Sequence, residues 1–278
     1  MEDHTATGIS VRPAPVLRKY VDSYVGFDLR GFPTGAHRGP PSRALTAVIS
    51  LEEPLEVAAG VDDGSPVTRF VSVAGGLMRR SVAIHHDGRQ RGVQVALTPL
   101  GARALYGMPA AELAQRLVPL DELLGALAVE LVDRLRSATT WAARFTTLDE
   151  VLLRIVGRDA CGDHVSRVRP EVAEALRRLV AARGRVQVGA VAADLGWSRR
   201  YLTERFRTEV GLSPKAYARV LRFEHAHELA SARDPLPWVD VATVSGYADQ
   251  AHLVREWHEF TGRSPTAWRR GEVLLEAG

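Results

Sequence analysis

Arg199, Arg200, Thr203, Glu204 and Arg207 lie within one stretch of nine residues, and Gln250, Ala251, Val254 and Arg255 within one of six. The first group carries fixed positive charge with hydroxyl and carboxylate hydrogen-bonding groups. The second combines an amide, a guanidinium and two small apolar side chains. Arginine pairs bidentately with guanine or phosphate, glutamine with adenine, and small apolar groups meet the thymine methyl. The chemistry these residues could do is recognition by contact, with no covalent step. The plain alternative for Arg200 and Arg255 is a solvated charge on a helix surface.

Spacing supports the first reading. Arg200, Thr203, Glu204 and Arg207 fall three or four apart, on one side of a helix. Leu202 and Phe206 take the opposite side, flanked by Tyr201 and Arg205. In the later stretch Leu253 and Trp257 face inward.

What positions these faces is written twice. Gly196 and Trp197 match Gly246 and Tyr247 at an offset of 50. After one extra residue, Leu202, Phe206, Gly211, Ser213-Pro214 and Tyr217 match Leu253, Trp257, Gly262, Ser264-Pro265 and Trp268 at an offset of 51. The repeated unit has the pattern of a helix-turn-helix. A first helix is expected from Pro170 and Glu171, burying Val172, Leu176, Leu179 and Val180 and closing at Gly184. Helices follow at 188–195 and, capped by Ser198, to about residue 210. Ser213-Pro214 starts a long helix that stops near residue 232, before Asp234-Pro235-Leu236-Pro237. The second copy predicts helices at 239–244, 249–260 and from 264. Some 20 residues at about 1.5 Å each span roughly 30 Å, close to the roughly 34 Å between successive major-groove faces.

The remaining constellations are weaker. His85, His86 and Asp87, with His37, contain metal-ligand types, but neighbours on a strand point to opposite faces and chelate poorly together. His225 and His227 are two apart and share no helix face. Cys161, the only cysteine, allows no internal disulfide and has no histidine at a telling spacing. No phosphate loop, nucleophile elbow or paired-carboxylate pattern appears. No catalytic site, metal or cofactor is therefore expected.

The 278 residues, 46% hydrophobic and 25% charged, fit two globular domains. No apolar run approaches the roughly 20 residues of a membrane span, and the polar start MEDHTATGIS is not a secretory signal. A cytoplasmic location is expected. The net charge is +3, and its surplus lies late: 18 basic against 14 acidic residues from position 165, but 18 against 19 before it. Segments 46–51, 55–58, 67–73, 81–86 and 90–97 read as strands, and Asp87-Gly88-Arg89 as a hairpin turn. A sheet or barrel is expected over about residues 20–98. Helical spacing follows at 120–136 and 141–156; these helices cap the sheet or pair with a second subunit. Residues 157–167 read as a linker.

The last 110 or so residues resemble the DNA-binding domain of AraC/XylS-type bacterial transcription regulators. The resemblance rests on DLGWSRRYLTERFRTEVGLSPKAY, RFEHAHEL and VSGYADQAHLVREWHEFTGRSPTAW. Trp257 stands where that family more often has phenylalanine, and Glu204 is a less usual reader. The resemblance implies base-contacting positions at Arg200, Thr203, Glu204, Gln250, Ala251, Val254 and Arg255. HRGPPSRALTAVISLEEPL, SVAGGLMRR and GVQVALTPLGARALYGMPAAEL look like a sensor domain found in a subset of these regulators, which implies ligand sensing or dimerisation.

The expected fold class is α+β: an N-terminal mixed β-sheet or barrel-like domain with helices (1–160), then an all-α domain of two helix-turn-helix modules joined by a long helix (165–278). The expected partners are double-stranded promoter DNA, RNA polymerase, a small-molecule effector and a second copy in a homodimer, with no membrane. The expected function is sequence-specific transcription regulation, with activation as its expected sense. The alternatives are an alkyl-transfer repair protein using Cys161 and a protein-interaction module.

Overall fold

The computed structural model describes residues 5–61, 64–160 and 168–271. Its first half is built from β1 (Thr5–Val11), β2 (Val21–Arg30), β3 (Gly35–Gly39), β4 (Leu45–Ser50), β5 (Leu55–Ala58), β6 (Val67–Phe70), β7 (Ser72–Gly75), β8 (Val82–His86), β9 (Gln90–Leu97) and β10 (Leu117–Pro119). They form two sheets, ordered β1-β2-β9-β4-β7-β10 and β3-β8-β5-β6, and the pairings described are antiparallel.

Strand alternation decides what each face does. On β4, Leu45, Ala47 and Ile49 are buried in the main core, while Thr46 and Val48 line an internal cavity. On β9, Val93, Val95 and Leu97 enter the core, and Gln90 and Gln94 face the cavity. The larger sheet therefore turns one side to helices and the other, across the cavity, to the smaller sheet. The two sheets stay separate, so the barrel-like expectation takes the form of an unclosed pair.

Two strand expectations are corrected. Asp87-Gly88-Arg89 does turn the chain, with Gly88 at φ 97°, but β8 and β9 do not pair as a hairpin. They enter different sheets, held at the corner by Phe32 N donating to Gly88 O at 3.3 Å. The single strand expected at 67–73 breaks at Val71, which passes the chain from one sheet to the other.

Helices α1 (Pro99–Tyr106), α2 (Leu120–Leu124), α3 (Ala126–Ser137) and α4 (Trp141–Ala160) cover the larger sheet. The one helix expected at 120–136 is split at Gly125, whose φ 56°, ψ −135° lies outside helical space. The expected linker at 157–167 is partly helical, since α4 runs to Ala160; residues 161–167, with Cys161, lie outside the described residues. Tyr24 anchors α4, its hydroxyl donating to Asp149 Oδ1 at 2.9 Å. Burial and that carboxylate push the phenol well above its usual range.

The rest is helical: α5 (Pro170–Ala181), α6 (Val188–Asp194), α7 (Arg199–Val210), α8 (Pro214–Ser231), α9 (Trp238–Val244), α10 (Gln250–Thr261) and α11 (Pro265–Gly271). Their bounds follow the repeat. Leu202, Phe206, Leu253 and Trp257 are fully buried, and one apolar core runs from the helices over the larger sheet into both modules. Among the described residues no helix is long and apolar enough to cross a membrane, and no cluster of three or more His, Cys, Asp or Glu is placed to hold a metal ion.

Candidate nucleic-acid interface and effector cavity

The two modules repeat down to single hydrogen bonds. Ser198 caps α7 by accepting from Tyr201 N at 3.1 Å, and Asp249 caps α10 by accepting from His252 N at 2.6 Å. Gly211 and Gly262 end those helices in the left-handed region, at φ 89° and 71°. In the turns before them, Trp197 N and Tyr247 N donate to Ala192 O and Ala242 O, each at 2.9 Å. Ser213 and Ser264 then cap α8 and α11 through Ala216 N and Ala267 N, each at 3.2 Å.

These caps fix which side of each helix meets solvent. Arg199, Arg200, Glu204 and Arg207 are exposed on α7, and Thr203 is half-buried. The Thr203 hydroxyl donates to Arg199 O at 2.8 Å, so it is engaged within its own helix. Gln250, Ala251 and Arg255 are exposed on α10, and Val254 is half-buried. Among the described residues, Arg199, Arg200, Arg207 and Arg255 join no ion pair. Their charges remain unneutralised, which favours an anionic partner.

The rear of α7 and that of α10 are fastened. Arg103 of α1 grips Glu209 near the end of α7, with Nη2 donating to Oε2 at 2.8 Å; that carboxylate holds the guanidinium above its usual range. At the end of α10, Ser81 N donates to Phe260 O at 2.8 Å and Arg38 Nη1 to Thr261 O at 2.7 Å. On α8, Glu224 accepts from Ser42 Oγ at 2.8 Å and Arg43 N at 2.9 Å. Burial raises the Glu224 carboxyl above its usual range, and the Arg43 charge opposes that rise. The first half of the chain thus touches α7, α10 and the helix between them.

A cavity of about 810 Å³ lies where these regions meet. Val25, Phe27, Val57 and Ile84 of the two sheets line it, together with Ser231, Arg233, Trp268 and Arg269 from the ends of α8 and α11 and the segment after α8. Three buried polar atoms on its wall have no hydrogen-bond partner among the described residues: His37 Nδ1, Ser231 Oγ and Arg269 Nε. Burial lowers His37 to about 4, so it is neutral at ordinary pH. Periodicity gave no signal for Ser231 or Arg269, and the sequence marked His37 only as a metal-ligand type. The structure places His37 5.6 Å from the His86 ring.

A family model described as a helix-turn-helix domain matches residues 191–271. The matched region is an AraC-type DNA-binding domain. The chain is a DNA-binding transcription regulator. No curated protein matches it. Among solved structures, ToxT from Vibrio cholerae O395 aligns over 98% of this chain and 99% of its own, with 9% identity and a TM-score of 0.50. ToxT from strain SCE256, with an unsaturated fatty acid bound, aligns over 99% and 100%, with 11% identity and a TM-score of 0.51. At these identities the likeness is one of fold, and it extends over both halves of the chain. The C-terminal domain of AraT, a response regulator from Geobacillus stearothermophilus, shares 27% identity over 41% of this chain and 94% of that one, with a TM-score of 0.37. In this AraC-type domain α7 and α10 are the second helices of the two helix-turn-helix units.

Proposed function

We propose that this regulator reads promoter DNA with α7 and α10 in adjacent major grooves, under control of a small effector held in the cavity. The division at residues 1–160 and 165–278 is part of this reading. Arg199, Arg200, Thr203, Glu204 and Arg207 meet one half-site; Gln250, Ala251, Val254 and Arg255 meet the other. The 18 residues of α8 rise about 27 Å, near the spacing of successive grooves. RNA polymerase contact, homodimer formation and a cytoplasmic setting complete the proposal. The exposed Val129 of α3 and Leu153 of α4 offer apolar groups for subunit pairing.

The observation that carries the effector reading is the cavity wall, which both halves build, which is mostly apolar, and on which the buried His37, Ser231 and Arg269 atoms have no hydrogen-bond partner among the described residues. Such a site fits an amphipathic molecule with an apolar body and an anionic head. Arg269 has no ion-pair partner among the described residues, and burial lowers its charge preference. The fatty acid bound to ToxT belongs to that chemical class.

Titration calorimetry of the full chain with oleate tests the effector. Saturable binding that weakens for oleyl alcohol and disappears in Val48→Trp, which plugs the cavity, is expected. Equal binding by Val48→Trp overturns it. Footprinting on DNA selected by the protein tests the interface: two protected patches about one helical turn apart on one face are expected. A single patch overturns the two-groove arrangement.

A further inference from the structure

The long helix α8 does not join the two reading heads as a bare strut. Near its middle, Arg222 reaches both at once. Its Nη1 donates to Gly184 O at 3.2 Å, a carbonyl in the α5–α6 turn of the first module. Its Nη2 lies 3.8 Å from Glu256 Oε1 on α10 of the second. The guanidinium also sits 5.8 Å from the ring centre of Tyr247, in the turn before α10. Gly246 completes the junction. It has φ 81°, and a Cβ there would come within 2.7 Å of Arg185 Cγ in the first module and 3.6 Å of Arg222 Cδ.

We propose that Arg222 is the positioning residue that sets the angle between the two reading helices, and so the half-site spacing the protein accepts. This rests on the two-groove reading above. Packing along α8 fastens both modules to the helix: Tyr217 in its first turn meets Phe206 at 5.8 Å between ring centres, and Phe223 nearer its middle meets Trp257 at 5.2 Å. Arg219 also ties α10 to α8 through Glu256 at 2.7 Å, but Arg222 bonds the first module and faces the second from one guanidinium. A guanidinium suits that junction because its planar fork donates in two fixed directions from one centre. An ammonium at the same place serves one partner at a time. Glu256 keeps other partners without Arg222, namely Arg219 Nε at 2.7 Å and His252 Nε2 at 3.3 Å. Removing the guanidinium therefore leaves Glu256 Oε1 its two other partners.

The experiment uses the full chain and a duplex selected by it, remade with the half-sites moved together or apart by one and two base pairs. Wild type is expected to lose about tenfold or more in affinity per displaced base pair, as rigid paired readers do. Arg222→Met is expected to flatten that dependence to about threefold or less while binding an isolated second half-site as wild type does. An Arg222→Met protein that keeps wild-type spacing discrimination, whatever its overall affinity, overturns the assignment. If Arg222→Met fails to fold, Arg222→Lys decides by the same criterion: a flattened profile supports the role and a sharp one overturns it. A wild type indifferent to spacing instead sinks the two-groove reading, and the role of Arg222 with it.

Discussion

The two modules of this regulator share caps, turns and core, yet they are charged and fastened differently. Where the first has Tyr201 and Arg205, with the guanidinium 5.0 Å over the ring, the second has His252 and Glu256. Glu256 is buried and pairs with Arg219 of α8 at 2.7 Å. Helix α10 is thus tied by side-chain charge to the connecting helix. Helix α7 is tied by side-chain charge to the first half of the chain, through Glu209 and Arg103. The solvent faces diverge as well: among the described residues, Arg199, Arg200 and Arg207 join no ion pair on that face of α7, against Arg255 on α10. Repetition has kept what folds each unit and changed what couples it to its surroundings, so the two units should respond differently to the same insult.

The largest contrast is expected in the core. Trp257 and Phe206 occupy equivalent, fully buried positions. Trp257, however, meets Phe223, Trp238 and Trp268 at 5.2 to 5.3 Å. Truncating a buried aromatic costs about 3–5 kcal/mol, and Trp257→Ala should fall near the top of that range and Phe206→Ala near the bottom. Denaturant unfolding of both variants measures it, and equal losses would mean that the aromatic cluster adds nothing specific.

Acid should separate the modules next. Histidine is absent from residues 168–213, whereas His227 on α8 lies among Phe223, Trp257 and Trp268. Burial lowers His227 to about 4. Between pH 4 and about 6.5 the unfolded histidine binds a proton that the folded one refuses, so stability rises with pH across that window and is lost as pH falls through it. The shift corresponds to about 3 kcal/mol. Amide exchange near pH 4.5 should therefore quicken around α10 and α11 before α6 and α7. His227→Phe should narrow the gap, and its persistence in that variant would place the acid sensitivity elsewhere.

Most of the C-terminal architecture was legible in the sequence because each boundary there has a local cause. Ser198, Asp249, Ser213 and Ser264 are caps, Gly211 and Gly262 are left-handed stops, and the buried pairs recur every four residues. The solvent faces of α7 and α10 followed from the same periodicity, as the residues left outside. The first half was legible only strand by strand. Which strands pair depends on distant partners, so β8 and β9 read as a hairpin although the Gly88 corner sends them to separate sheets. Gly125 looked like one more helical residue until its backbone angles showed the break. The cavity was hidden for the same reason. Its wall joins β3 to the ends of α8 and α11, and no local pattern relates His37 to Ser231 and Arg269.

On DNA, the unequal charge of the two faces predicts a division of labour. The exposed arginines of α7 suit phosphates, while Gln250, Ala251, Val254 and Arg255 suit base edges. Arg255→Ala should cost about 1–3 kcal/mol on a selected site and relax preference at one base pair. Arg207→Ala should weaken all sequences alike and lower the salt slope by about 1. Binding isotherms on base-substituted duplexes at several salt concentrations distinguish the two, and identical profiles would erase the proposed division.

The smallest expected difference lies in the caps, where the modules are most alike. Both cap side chains accept one backbone hydrogen bond, so Ser198→Ala and Asp249→Ala each remove a cap worth about 1 kcal/mol. Asp249 brings a carboxylate to the positive end of α10, where a negative charge adds about 0.3–1 kcal/mol at low ionic strength. Ser198 brings none to α7. Asp249→Ala should therefore be the costlier change in dilute buffer, and the excess should fade as salt screens the charge while the hydrogen-bond loss persists. Asp249→Ser separates these contributions within one module, because it keeps an acceptor and removes only the charge. If that variant is as unstable as Asp249→Ala, at low salt and high, the stabilisation at α10 does not come from the cap hydrogen bond that both modules share.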